Sequence, residues 1–220
     1  MVISVWGGKG GLGKSTLSAL LAWMLGKVGR TLLVDADGRQ TDGSSSELHK
    51  QLTVEATYDL TMEEDPAKLA KLRAIRGYRF IVLDNAPDRD LEKLKVTCDG
   101  DLIVVPMVAE DLETKAVMSS LRTYVVPSGR PFMVVMNRVT HAQKGRAAKI
   151  HAGLDVVGIP TAKTHVRGYQ AHAYAGAIGT PITEGTGQNW DKAREDAYNL
   201  VDEILVRLGQ EDRVPRRAAT

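Results

Sequence analysis

One cysteine, Cys98, stands in a chain of 220 residues. That excludes an intrachain disulfide and any metal centre built from cysteines of a single chain. No apolar run approaches the ~18 residues a membrane-spanning helix needs. The first apolar segment, Val2 to Trp6, is too short for the hydrophobic core of a secretory signal. The expected compartment is therefore the cytoplasm. Net charge is only +2, so the total implies no polyanionic partner and any such case has to come from local clustering. Internal repeats, low-complexity tracts and linkers are missing as well. What remains has ordinary apolar and charged fractions, 43% and 25%, and enough length to bury a sizeable core. One α/β domain over residues 1–209 is expected, with 210–220, carrying Arg213, Arg216 and Arg217, as a disordered basic tail.

The first sixteen residues organise the rest. Val2 to Trp6 reads as a strand, Gly7 to Thr16 as a glycine-rich turn, and an amphipathic helical pattern starts at Leu17. Gly8, four residues, then Gly13-Lys14-Ser15 is a full phosphate-loop match in the strand–turn–helix context it requires. Glycines let backbone N–H groups close on an anionic phosphate, and the following helix N-terminus adds partial positive charge. Lys14 is placed to reach the β- and γ-phosphates of a nucleotide, and the Ser15 hydroxyl to ligate Mg²⁺. Gly10, Gly11, Leu12 and Thr16 complete the nucleotide-binding segment.

Leu17, Leu20, Leu21, Met24, Leu25 and Val28 recur at helical spacing, with Gly29 as the expected C-cap. Thr31 to Asp35 reads as a buried parallel strand ending in Asp35-Ala36-Asp37. Carboxylates at that end of a strand face the nucleotide crevice, the alternative for Asp37 being a cap or turn residue. A weak strand is expected over Thr53–Tyr58 and a helix over Pro66–Ile75. Tyr78 to Asp84 is a further buried strand whose terminal carboxylate is a Mg²⁺ ligand of the Walker B kind. Strands over Asp101–Pro106 and Pro131–Arg138 flank a helix over Ala116–Val125. The class is a doubly wound α/β fold with a mostly parallel sheet, of the P-loop NTPase type.

Charge is uneven. From Arg138 to His172, Arg138, Lys144, Arg146, Lys149, Lys163 and Arg167 face Asp155 as the single acid, a local net of +5. Lys144, Arg146, Lys149, Lys163 and Arg167 are candidate contacts to DNA phosphates, the alternative being a solvated basic face. Four histidines in the same stretch lack a metal-ligand spacing. The final helix, Trp190 to Leu208, carries an apolar stripe and a net charge of −2. A core-facing role suits that charge better than anionic lipid, so no membrane partner is expected.

Lys9-Gly10-Gly11-Leu12-Gly13-Lys14-Ser15 resembles the deviant Walker A box of the ParA/MinD family of ATPases. The resemblance spans nearly the whole chain, is strongest in residues 1–40, 78–87 and 101–138, and is nearest to the small, ParF-like plasmid-partition type. It implies ATP hydrolysis in a nucleotide-sandwich homodimer, or a higher polymer. Lys9 then acts across the dimer as a catalytic residue, Lys14 holds phosphate, Asp37 orients the attacking water, and Ser15, Asp35 and Asp84 surround Mg²⁺. Asn137 and Arg138 fall where the family contacts adenine, although an Asn ending a strand is also a common turn former. Glu110 to Glu113 resembles the segment lining the dimer face.

Departures are Gly38-Arg39 near the first switch, where the family has Asp-x-Asp-Pro-Gln, and Asn85 for Thr in Asn85-Ala86-Pro87. By the same resemblance the ATP-bound dimer binds nonspecific DNA, associates with the nucleoid, and is stimulated by a centromere-binding, ParB-type partner. An N-terminal DNA-reading domain is not expected. A MinD-like membrane-cycling ATPase and a nucleotide-switch scaffold with little turnover are the competing readings. An iron–sulfur carrier is disfavoured by the single cysteine.

Overall fold

The computed structural model describes residues 1–37, 44–86 and 100–216. Gly38, Arg39, Gln40, Pro87, Cys98 and Arg217 lie outside the described residues. Six strands form one sheet: β1 (Val2–Val5), β2 (Thr31–Asp35), β3 (Asp59–Met62), β4 (Phe80–Asp84), β5 (Leu102–Met107) and β6 (Phe132–Met136). Their order is β3-β2-β4-β1-β5-β6, and every pairing is parallel.

A parallel sheet is covered on both faces, so its strands are apolar throughout and alternate residues serve opposite layers. Ile3, Val5, Leu33, Phe80, Val82, Leu102 and Val104 pack with α1 (Lys14–Gly26), α6 (Gln170–Ala177) and α7 (Trp190–Arg207). Ile103, Val105, Val134 and Met136 face the other way, against α4 (Asp111–Ser120) and α5 (Lys144–Val156). On that same side Val2, Leu32, Val34, Ile81 and Leu83 meet Leu69 of the short α3 (Pro66–Leu69) and Leu72 beyond it. Two short helical segments, α2 (Ser45–Lys50) and α3, bracket β3.

Several element boundaries differ from those read in the sequence, each for a local reason. α1 begins at Lys14, not Leu17, because the phosphate loop itself supplies the helix N-terminus. It ends at Gly26, where an added Cβ would lie 2.2 Å from the Thr57 carbonyl oxygen. The strand expected over Thr53–Tyr58 falls instead at Asp59–Met62, and Tyr58 is a buried core side chain. α4 starts five residues before Ala116, with Asp111 and Glu113 in its first turn, where carboxylates favour a helix N-terminus.

The apolar stripe of α7 lies in the core: Ala193, Ala197, Leu200, Val201, Ile204 and Leu205 are all buried. The segment expected as a loose tail follows this helix as far as Arg216. Val214 is buried, and Arg216 pairs with Asp202 at 3.3 Å. An apolar anchor and an acid on α7 therefore hold residues that composition alone marks as tail. Among the described residues, no helix is long and apolar enough to cross a membrane.

Candidate functional site

The strand order reverses at β1, and the loop Gly7–Gly13 leaves its carboxyl end at that switch point. Gly13 is the α1 N-cap with φ 79°, a left-handed conformation that costs glycine least. An added Cβ there would meet Asn137 Nδ2 at 2.7 Å. No side chain caps α1 and no acid stands in its first turn, so its free N–H groups remain available to an anion.

Lys14 is buried, and burial lowers its pKa against the opposing pull of Asp84 and Asp37. Its ammonium donates to the Lys9 carbonyl at 3.2 Å. Lys9 is half-exposed at the loop crest, paired with Glu113 from α4. The two loop lysines thus divide into one inside the site and one at its mouth.

The sheet register sets Asp35 directly beside Asp84 on the adjacent strand. Both Asp35 oxygens are used: Oδ1 accepts from the Asp37 N–H at 3.1 Å and Oδ2 from the Ser46 N–H at 2.9 Å. Asp35 therefore shapes the segment that carries Asp37, which is itself buried. Asp84 accepts from Ser18 Oγ at 3.0 Å through Oδ1, while its buried Oδ2 has no partner. Burial pushes the Asp84 carboxyl up to about 6, opposed by the Ser15, Ser45 and Ser18 hydroxyls, and neighbouring Asp35 adds to the rise. An orphaned hard oxygen beside Ser15 fits Mg²⁺.

Asn85, the departure in the second switch, turns its amide back into the sheet. Nδ2 donates to Ser4 Oγ at 2.8 Å and to the Val5 carbonyl at 2.9 Å. That anchors the end of β4 to β1, a tie the sequence reading did not foresee.

Asn137 and Arg138 close the loop from the β6 side. Asn137 Nδ2 donates to the Leu12 carbonyl at 2.8 Å, its Oδ1 accepts from the Arg138 N–H, and Arg138 Nη1 donates to the Gly11 carbonyl at 2.9 Å. Asn137 thereby braces the phosphate loop whether or not it also touches a base. Gly11, Thr16, Asn137, Arg138, Val166 and Tyr169 help line a cleft of about 750 Å³, within the range of small-molecule sites.

The residues expected to meet DNA separate into two sets. Lys144, Arg146 and Lys149 are exposed on α5, Arg146 with Asp111 at 3.6 Å, and Lys163 is exposed beyond β6. Arg167 is not a free cation. Its Nη2 lies 2.6 Å from Asp196 Oδ1 and 3.1 Å from Glu195 Oε2, and Asp196 holds its pKa above the ordinary arginine value. The local excess of +5 therefore overstates the available charge, because α7 supplies acids 28 and 29 residues away in sequence. His151 Nδ1 and His165 Nε2 lie 2.9 Å apart, a pair that sequence spacing did not suggest.

Two outcomes follow. A carboxyl whose folded pKa exceeds its unfolded value favours folding at low pH and loses that contribution as pH rises through the folded value. Asp84→Asn should therefore flatten the fall in nucleotide-free stability between about pH 4 and the folded value of about 6, an effect of up to roughly 3 kcal/mol in urea unfolding at the two pH limits. Asn137→Asp sets a carboxylate against the Leu12 carbonyl and beside the phosphate loop, and should weaken ATP binding about tenfold or more in titration calorimetry.

No protein-family model matches the chain. The maintenance of carboxysome distribution protein A of Gloeobacter kilaueensis is 32% identical over 204 residues, covering 92% of this chain and 93% of that protein. The MinD cell division protein of Aquifex aeolicus superposes with a TM-score of 0.74 at 16% identity, covering 98% of this chain and 99% of the other. A Borrelia burgdorferi structure assigned to plasmid partition and bound to AMPPNP superposes with a TM-score of 0.68 at 18% identity, covering 94% and 98%. These likenesses support the ParA/MinD resemblance, while the sequence relative is a carboxysome-distribution protein and not the ParF-like plasmid type. The chain belongs to the family of the maintenance of carboxysome distribution protein A, and its fold is that of the MinD and plasmid-partition structures.

Proposed function

We propose that this chain is a nucleotide switch that dimerises around Mg-ATP, binds DNA without sequence preference in that state, and is reset by hydrolysis. The observation that carries this reading is the division of labour in the loop, with Lys14 buried in its own site and Lys9 held outside it at the mouth. A lysine in that outer position suits phosphates presented by a second copy.

Loop N–H groups and Lys14 hold the β- and γ-phosphates. Ser15 and Asp84 would hold Mg²⁺, with Asp35 behind them, and the ion would offset phosphate charge. Asp37, close enough to Lys14 to act on its charge, orients a water for in-line attack on the γ-phosphorus. The bond to the ADP oxygen breaks, and the water's oxygen ends on phosphate. Asn137 and Arg138 brace the loop from the base side.

Lys144, Arg146, Lys149 and Lys163 are the cations left for DNA once Arg167 is assigned to Asp196. Burial of the α7 stripe supports DNA over a membrane surface, since that helix keeps no apolar face for lipid. The carboxysome-distribution relative favours a large particle of that kind as cargo over a plasmid. A cargo-bound protein then takes the place of a ParB-type partner in stimulating hydrolysis, with the nucleoid of the cytoplasm as the matrix.

Binding to random-sequence duplex DNA with ATP, with ADP and without nucleotide, alongside anionic liposomes, tests the reading. Salt-sensitive DNA binding is expected with ATP alone, lost on charge reversal of Lys144, Arg146 and Lys149, and each lost phosphate contact lowers the salt slope by about 1. Equal binding in all nucleotide states, or uptake by liposomes in place of DNA, would overturn it.

A further inference from the structure

The chain satisfies both loop lysines internally. Lys14 donates to the Lys9 carbonyl, and the Lys9 ammonium is paired with Glu113, 104 residues later in the first turn of α4. The bond from Lys9 holds the Glu113 carboxyl below its ordinary range. The other acids at the start of α4 have different neighbours: Gln143 Nε2 donates to Glu110 at 3.4 Å, and Arg146 lies 3.6 Å from Asp111. The Lys9 side chain is 39% exposed and that of Glu113 23%, so the pair closes across the rim of the site. At Gly10 and Gly11, beside it, even an added Cβ would meet nothing within 4 Å. The loop crest beside Lys9 is open.

We infer that Glu113 is a latch on Lys9. It holds the lysine to its own subunit in the single chain and releases it when phosphates of a second copy compete for the same ammonium. The inference rests on the role across the dimer proposed for Lys9. The ammonium has three donors, but reaching a triphosphate on a second copy draws Lys9 away from the rim contact that it makes with Glu113. Dimerisation therefore exchanges one anion for the other, and the strength of the Lys9–Glu113 pair opposes assembly. At the rim, the released carboxylate returns to water instead of being stranded in the interior. A half-exposed pair is a weak restraint, so the latch tunes the ATP dependence of assembly without forbidding it. The acid that silences Lys9 lies outside the phosphate-loop motif, and the chain closes the contact through the fold.

Glu113→Gln keeps the shape and removes the charge. With Mg-AMPPNP as the probe, sedimentation should show half-dimerisation at a concentration about two- to tenfold lower than for the wild type. In the nucleotide-free chain, acylation of Lys9 by a small anhydride, followed by peptide mass, should be faster in the variant, with Lys14 unchanged. An unchanged or raised AMPPNP midpoint, or an unchanged Lys9 acylation rate, overturns the latch while leaving the dimer reading in place. A wild-type chain that stays monomeric at saturating Mg-AMPPNP overturns the dimer reading, and the latch with it.

Discussion

Two carboxylates side by side inside the protein are the constraint on which the site depends. Parallel strands end at a common edge, and the β2–β4 register puts Asp35 against Asp84. Burial penalises the charged form first, and the neighbouring like charge adds to the cost. Asp35 answers with two backbone N–H donors, and Asp84 with the Ser18 hydroxyl and a proton affinity raised to about 6. Lys14 supplies the opposite charge at close range, yet its own burial lowers its pKa. A site so arranged is under-neutralised around Asp84, whose second oxygen has no protein partner. That is a suitable state for receiving a divalent cation together with a polyphosphate, since the cation brings the missing positive charge.

The remaining architecture places groups around that centre. β1 delivers the phosphate loop between the carboxylates and β5, and Asn85 ties the end of β4 back to β1. From the β6 side, Asn137 and Arg138 clamp the loop carbonyls, so the phosphate loop and the segment after β6 share one set of hydrogen bonds. α4 and α5 carry the groups outside the site: acids that engage Lys9 and Arg146, and the exposed cations of the basic face.

Local patterns were legible in the sequence and long-range pairings were not. The phosphate loop, the strands ending in Asp35 and Asp84 and the stripe of α7 are written within short windows, as glycine spacing, apolar runs and helical period. Boundaries slipped by a few residues: α1 closes at Gly26 and β3 begins at Asp59, after the buried Tyr58. The charge count around Arg167 failed because Asp196 arrives from another element. Glu113 against Lys9 and His151 against His165 likewise depend on the fold and have no signature in spacing. Val214 and the Arg216–Asp202 pair show the limit of composition, since contacts with α7 engage a segment that reads as tail.

The central claim is that one hydrolytic site takes Lys9 from one subunit and Asp37 from the other. Mixing purified Lys9→Ala and Asp37→Ala chains tests it directly, because both variants keep Lys14 and the loop that binds ATP. In the mixed dimer, one site combines the Asp37 of one chain with the Lys9 of its partner. ATP hydrolysis absent from either variant alone is expected to return on mixing. A mixture as inactive as its components would contradict the shared site and assign Lys9 to its own subunit.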